Sequence, residues 1–209
     1  MKIALFGASG RTGRPLVREM LDRGWHVTAL VRTPSKLSIT DENLDIKQGD
    51  VMDLKDVAKT VEGADAVVSV IGHGKGTPSD LQESAGKKIV EAMEKNEQKR
   101  LLIMTGAGVA SPGDKPGLVN KLFVLLLKLF SRKVYKDSIA YVESVRKSEL
   151  DWTIVRVPRL TEGERTGKIR VGKVGVNTGV AINRADVAWF IAEEVGEPKY
   201  IQQTPMISN

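Results

Sequence analysis

The first 24 residues join an apolar run, a glycine-rich turn and an amphipathic segment. The run KIALF (2–6) has the content of a buried strand, and residues 14–24 place their apolar side chains on one helical face. Between them, Gly7, Gly10 and Gly13 recur at a spacing of three residues. Glycines in such a turn let backbone N–H groups approach a phosphate group at the helix N-terminus. The stretch therefore predicts a strand–turn–helix unit that binds a dinucleotide.

Apolar runs and amphipathic segments alternate through the first 105 residues. Residues 64–72 are apolar on both faces, as expected for a central strand of a parallel sheet. The alternation predicts an α/β chain of the Rossmann type, with a doubly wound parallel sheet and helices on both faces. The predicted strands are 2–6, 26–31, 44–50, 64–72 and 100–106, and the predicted helices are 14–24, 52–63 and 80–96.

The second half is expected to complete the same sheet. It is predicted to contain one or two helices over 117–149, strands at 151–157 and 168–172, a helix at 183–195 with Asn183 as N-cap, and a final strand at 199–205. The 209 residues suit one packed domain, 1–209, with a small substrate-side region near 158–182.

The most apolar segment, LVNKLFVLLLKLF (118–130), is too short to span a bilayer and contains Lys121 and Lys128. A buried or partly buried helix is preferred here over an interfacial anchor. No membrane partner is therefore expected. The first strand begins directly after Met1, which predicts a cytoplasmic location.

Composition excludes several kinds of site. The chain has no cysteine and two histidines, so thiolate chemistry is excluded and no metal site is expected. The net charge of +6 favours anionic ligands. Lysines and arginines are spread along the chain and mixed with acids, which argues against a nucleic-acid partner.

The end of the second predicted strand indicates which dinucleotide binds. NAD enzymes usually carry a carboxylate there that accepts hydrogen bonds from the ribose hydroxyls. This chain has Arg32, followed by Ser35 and Lys36. A guanidinium can bind a 2′-phosphate that a carboxylate would repel. The sequence thus predicts a preference for NADPH/NADP+ over NAD.

The whole chain resembles the NAD(P)H-binding branch of the atypical short-chain dehydrogenases/reductases, which includes NmrA-like proteins and the flavin reductase/biliverdin-IXβ reductase type. The resemblance is carried by FGASGRTG (6–13), LVR (30–32), GDVMD (49–53), DAVVSVIG (65–72) and SELDWTIVRVPRLTEGERTG (148–167). It implies dinucleotide contacts from Gly7, Ser9, Gly10, Arg11, Thr12, Gly13, Arg32, Ser35, Lys36, Asp50, Val51, Ile71 and Gly72, and it places Thr105, Pro158 and Leu160 beside the nicotinamide.

Two positions depart from the flavin-reductase pattern. The fifth strand ends in Thr105-Gly106 where a Thr-Ser pair is usual, and Arg159 stands where a histidine commonly follows the proline. The candidate catalytic residues, chosen for their position near the expected nicotinamide end, are Thr105, Arg159 and His73. His73 lies in the glycine-rich stretch 72–80, a candidate lid, and is interpreted either as a proton donor or as a solvated loop histidine.

The superfamily's usual acid for carbonyl reduction, Tyr-x-x-x-Lys, is missing. The residues four positions after Tyr135, Tyr141 and Tyr200 are Ile139, Val145 and Thr204. This excludes a standard alcohol dehydrogenase or sugar epimerase. It leaves acceptors that spread charge over a conjugated ring system and take their proton from water, such as flavins, quinones and linear tetrapyrroles.

Five cations follow the sixth predicted strand within fifteen residues: Arg159, Arg165, Lys168, Arg170 and Lys173. They fit either a planar anionic acceptor or a charged sheet edge that resists aggregation.

Two functions are expected from the sequence. The first is an NADPH-dependent oxidoreductase that transfers hydride to a planar conjugated acceptor. The alternative is a non-catalytic, NmrA-like sensor of NADP(H) that acts through a protein partner, with 118–130 as a docking surface.

Overall fold

A computed structural model describes residues 1–74 and 76–209, with the side chain of Phe123 left aside. The helices and strands follow the predicted order closely. In chain order they are β1 (Lys2–Phe6), α1 (Gly13–Asp22), β2 (His26–Val31), β3 (Leu44–Gln48), α2 (Leu54–Val61), β4 (Ala66–Ser69), α3 (Leu81–Lys95), β5 (Arg100–Gly106), α4 (Leu118–Phe130), α5 (Arg132–Arg146), β6 (Asp151–Val157), β7 (Arg159–Thr161), β8 (Arg170–Gly172), β9 (Ala181–Asn183), α6 (Arg184–Gly196) and β10 (Met206–Ser208).

Eight of the described strands form one sheet in the order β3-β2-β1-β4-β5-β6-β10-β8. All neighbours run parallel except β8, which pairs antiparallel with β10. The strand order reverses between β1 and β4, so the crevice where such sheets bind ligands lies beyond the carboxyl ends of these two strands. The predicted Rossmann-type α/β fold is confirmed.

Helices cover both faces of the sheet because alternate strand residues point to opposite sides. On one face, Ile3 and Leu5 of β1 join a core with Met20 of α1 and Ile191 of α6. On the other face, Phe6 joins a core built from α2, α3 and α5. The prediction that β4 is buried on both faces is confirmed, since all its residues are buried. The predicted N-cap is confirmed as well, because the Asn183 side chain accepts a hydrogen bond from the Asp186 amide.

The predicted final strand at 199–205 is wrong. Residues 201 and 202 lie in a turn, with Gln202 at a φ of 54°, Gln203 makes a single bridge to Thr153, and the strand forms instead at Met206–Ser208. The amide of Gln202 donates to the Trp152 carbonyl at 2.6 Å, which holds the turn against β6. A contact distant in sequence therefore overrides the β propensity of the segment.

The predicted helix at 118–130 is present as α4, but it is not buried, and among its described residues only Asn120, Val124 and Leu127 are half-buried. Leu118 and Phe130 are 86% and 82% exposed, and Leu129 is 66% exposed. The helix lies beyond the carboxyl ends of the strands and packs mainly against α5, while α3 and α5 already cover that face of the sheet. It therefore has no second layer to bury its outer side.

Candidate functional site

The glycine-rich turn between β1 and α1 is fixed by close backbone packing. Gly7 has a φ of 88°, and a Cβ there would lie 2.9 Å from the carbonyl carbon and oxygen of Val70. A Cβ on Gly13 would overlap the carbonyl oxygen of Gly7 and lie 2.7 Å from Ala8. The amide of Gly10 donates to the Gly7 carbonyl at 3.0 Å. Glycine is therefore required at the first and third positions by packing, before any ligand is considered.

The predicted dinucleotide residues all follow strand ends on one edge of the sheet. Because the strands are parallel, their carboxyl ends meet at this edge, and the structure brings these segments together there. Gly7, Ser9, Gly10, Arg11, Thr12 and Gly13 follow β1; Arg32, Ser35 and Lys36 follow β2; Asp50 and Val51 follow β3; Ile71 and Gly72 follow β4; Thr105 is the last residue but one of β5; and Pro158 and Leu160 follow β6.

The loop after β2 presents cations to solvent. Arg32 and Lys36 are exposed, and the Lys36 carbonyl accepts a hydrogen bond from Arg14 Nη2 at 2.9 Å. This bond ties the loop to the first turn of α1. Asp50, by contrast, uses one carboxylate oxygen to accept from the Met52 amide at 2.9 Å, so that oxygen holds the turn after β3.

The end of β5 carries a buried hydroxyl without a partner in the described part of the chain and borders open space. Thr105 is 3% exposed, and its Oγ1 has no hydrogen-bond partner among the described residues. A buried hydroxyl without a partner is unfavourable, so it is suited to bond a ligand amide. A Cβ built on Gly72 or Gly106 would meet no atom of the described residues within 4 Å, so the ends of β4 and β5 border open space.

His73 is not a solvated loop histidine, so that interpretation is wrong. Its Nε2 lies 2.7 Å from Oδ2 of Asp137, a side chain of α5 that is 2% exposed. The same carboxylate accepts from the amides of Gln82 and Glu83 at 2.9 and 2.8 Å. His73 therefore anchors the stretch after β4 to α3 and α5. Its role as a proton donor stays a prediction.

A cavity of about 820 Å³ lies beyond the ends of β5 and β6. Gly108 follows β5 in its lining, and Pro158 and Arg159 follow β6. The walls are mostly apolar, with cations at the sides; they include Val119, Val124, Leu125, Tyr135, Val174 and Val180, and the lysines Lys121 and Lys128. The lining also contains a carboxylate, that of Asp114, so it combines apolar walls with charged groups of both signs.

The five cations after β6 do not form one cluster. Arg159 lines the cavity. The guanidinium of Arg165 lies over the Trp189 ring, 5.8 Å from its centre. Arg170, on the edge strand β8, donates a hydrogen bond to the Asn209 carbonyl. Of these three cations only Arg159 lines the cavity, and the charged-edge interpretation fits Arg170.

The Thr-Gly pair of the motif at 148–167 has a structural role. The carboxylate of Asp186, in the first turn of α6, accepts from the Thr166 amide and hydroxyl at 3.0 and 2.6 Å and from the Gly167 amide at 3.0 Å. Burial by itself raises the pKa of Asp186, but hydrogen bonds from Thr166, Asn209 and Gly167 outweigh it and lower the pKa. This carboxylate therefore holds the loop between β7 and β8 against the N-terminus of α6.

Two features of the site were missed from the sequence. Arg156 of β6 is 1% exposed and donates to both carboxylate oxygens of Asp114, at 2.6 and 3.0 Å. An arginine inside the apolar run DWTIVRV was the available signal, because a buried charge needs a partner. The second feature is the contact between Lys128 and Tyr135 in the cavity wall, where the Lys128 Nζ lies 5.7 Å from the centre of the Tyr135 ring. These two lie on different helices, so no sequence spacing indicates the pair.

A family profile, a curated relative and two solved structures show which proteins this chain is similar to. The sequence profile of a family described as NAD(P)H-binding matches residues 7–198. YwnB of Bacillus subtilis is 27% identical over 210 residues, covering 96% of this chain and 94% of the relative. The crystal structure of the oxidoreductase ylbE from Lactococcus lactis covers all of this chain and 91% of its own, with 24% identity and a TM-score of 0.84. A wide-type short-chain dehydrogenase/reductase from Veillonella parvula, solved in complex with NADP, is 17% identical with a TM-score of 0.82, covering all of this chain and 94% of its own.

Proposed function

Because the chain belongs to the NAD(P)H-binding family, we propose that it is an NADPH-dependent reductase that passes hydride to a planar conjugated acceptor of the flavin, quinone or linear tetrapyrrole type. The observation that carries the proposal is the position of the 820 Å³ cavity. It is lined by Ala107, directly after β5, and by Pro158, directly after β6, so an acceptor in it would lie beside the predicted nicotinamide position.

The described residues supply binding and orientation. NADPH, when bound, supplies the hydride. The Thr105 hydroxyl would orient the nicotinamide amide, while Val124, Leu125 and Tyr135 would exclude water and hold the acceptor ring. Arg159 would bind an anionic substituent of the acceptor. Tyr141 is not available as an acid, because burial raises its pKa and its hydroxyl donates to Ser69 Oγ at 2.7 Å.

The proposal is tested by following NADPH absorbance with flavin mononucleotide and with a neutral quinone. We expect saturable turnover with NADPH. Replacing Arg159 by glutamine is expected to raise KM for the flavin about tenfold, the value of one charged hydrogen bond, and to leave KM for the neutral quinone unchanged. Lys99→Gln, a change of the same kind at an exposed residue just before β5, is the control. Equal effects of Arg159→Gln on both acceptors would contradict the role given to Arg159.

The preference for NADPH is tested at Arg32. Arg32→Asp is expected to weaken NADPH binding about a hundredfold or more, because an attractive charge at the 2′-phosphate becomes a repulsive one. NADH binding should change less than threefold, as estimated for a ligand without that phosphate. Lys99→Asp makes the same charge change just before β5, at the opposite edge of the sheet, and serves as the control. Equal losses for the two nucleotides would disprove the assignment.

The departures at Gly106 and Arg159, together with a Tyr141 that is not available as an acid, favour a second candidate, the NADP(H) sensor that acts through a protein partner. The two functions differ in turnover. Tight NADPH binding with no oxidation in the presence of flavins, quinones or linear tetrapyrroles would support the sensor and reject the reductase.

A further inference from the structure

α4 carries most of the exposed apolar surface of the described chain. Eleven large apolar side chains are exposed in the described residues, and seven of them belong to this one helix. They are Leu118, Val119, Leu122, Leu125, Leu126, Leu129 and Phe130. Single exposed apolar residues are normal on a protein surface, but a contiguous set marks an interaction surface.

These seven side chains form one stripe. At 100° per residue they occupy an arc of about 140°, as wide as the face that an amphipathic helix normally buries. Lys121 and Lys128 lie together along one edge of this arc. The helix is thus amphipathic, with its apolar face turned towards solvent.

The surroundings of the stripe are strongly basic. Between Asp114 and Asp137 the chain has no acidic residue and six cations, Lys115, Lys121, Lys128, Arg132, Lys133 and Lys136. In the part of the chain that the structure describes, none of the six forms a salt bridge with a carboxylate. Arg132, Lys133 and Lys136, in the first turns of α5, are exposed. Their charge is available to an anionic partner.

We propose that α4 and the first turns of α5 bind the surface of an anionic lipid bilayer. An apolar stripe bordered by lysines and arginines is the pattern of a helix that lies in the membrane interface. The apolar side chains enter the boundary between headgroups and acyl chains, and the cations contact anionic headgroups. Within the described residues, no helix has the length and hydropathy to cross a bilayer. The helix therefore lies on the membrane.

Charge favours a lipid surface over a second copy of the chain. A two-fold dimer through α4 would place the same patch against itself, so the six cations of each copy would face those of the other. The whole chain also carries a net charge of +6. An anionic bilayer neutralises this charge. The proposal differs from the sequence-based expectation that no membrane is bound, which stays a prediction until vesicle binding is measured.

Membrane binding by α4 does not depend on reductase activity, but the membrane-binding face lies next to the cavity. Lys121, Leu125 and Lys128 of α4 also line the cavity. The membrane-binding face and the cavity wall are therefore adjacent sides of one helix.

Vesicle sedimentation with the full chain tests the proposal. We expect it to bind phosphatidylcholine vesicles containing about one third phosphatidylglycerol at least about tenfold more strongly than vesicles of phosphatidylcholine alone. Binding should weaken as salt is added, because salt screens the headgroup charge. Equal binding to both vesicles, or binding to neither, would overturn the proposal.

Two double variants separate the apolar stripe from general hydrophobicity. Leu122→Gln/Leu129→Gln changes side chains that are 57% and 66% exposed, and should lower vesicle partitioning at least about tenfold. Val176→Gln/Ile201→Gln changes two other exposed apolar residues and should leave it unchanged. Thermal unfolding checks that each variant folds, and Arg132→Glu/Lys133→Glu repeats the test through charge alone. A dimer in light scattering that dissociates in Leu122→Gln/Leu129→Gln, without vesicle binding by the parent chain, would assign the stripe to a second copy instead.

Discussion

Replacing Gly13 by alanine is expected to destabilise the chain by about 3 kcal/mol and to weaken NADPH binding at least about a hundredfold. The added Cβ would overlap the carbonyl oxygen of Gly7 and press on Ala8, and both contacts are with backbone. The turn must therefore shift, and the N-terminus of α1 shifts with it. The melting temperature should fall by roughly 6–12 °C for a chain of this size.

Gly72→Ala is the matched control for the stability part of this prediction. A Cβ on Gly72 meets no atom of the described residues within 4 Å, so the melting temperature should not change. Thermal denaturation and titration of NADPH fluorescence measure the two effects. A Gly13→Ala protein with unchanged stability would show that α1 does not pack against the turn as described.

Replacing Asp114 by asparagine is expected to lower the free energy of unfolding by about 3–5 kcal/mol. Arg156 is 1% exposed, and both of its terminal nitrogens donate to this carboxylate. Asparagine has the same shape but no charge, so a buried guanidinium is left without its counter-ion. Asp114 also accepts from the amides of Ser111 and Val174, so the loops beside the cavity should loosen as well.

The double variant Asp114→Asn/Arg156→Met should recover part of the lost stability, because it removes the unpaired charge. Urea denaturation of the parent chain and the two variants gives this comparison. A double variant less stable than Asp114→Asn would show that Arg156 contributes through its other contacts, such as the Thr204 carbonyl at 3.0 Å.

The same pair predicts a pH dependence. Burial raises the pKa of Asp114, but hydrogen bonds from Arg156 and from the Ser111 amide outweigh it and hold the pKa below its usual value. A lowered carboxyl pKa contributes stability that is present above the usual pKa and lost as pH falls through the folded value. The stability difference between the parent chain and Asp114→Asn should therefore shrink below about pH 4, where the carboxyl of the unfolded chain begins to take up a proton while that of the folded chain stays charged.

Local patterns in the sequence determined most of the sheet and the edge where the site lies. The glycines at positions 7, 10 and 13, and the order of apolar runs, predicted β1, α1 and the parallel arrangement of the strands. This was possible because strand and helix periods are read within a few residues, and parallel strands necessarily bring their carboxyl ends to one edge.

Only the tertiary structure decided which charges are paired and which apolar face is left uncovered. Arg156 and Asp114 lie 42 residues apart, and His73 and Asp137 lie 64 apart, so no local spacing indicates either pair. The apolar pattern of α4 is the same for a buried helix and for an exposed one. Hydrophobic periodicity shows that one face of a segment is apolar, but not whether another layer covers that face, because this depends on how the rest of the chain packs. In this protein α3 and α5 already occupy that face of the sheet, so α4 is left uncovered.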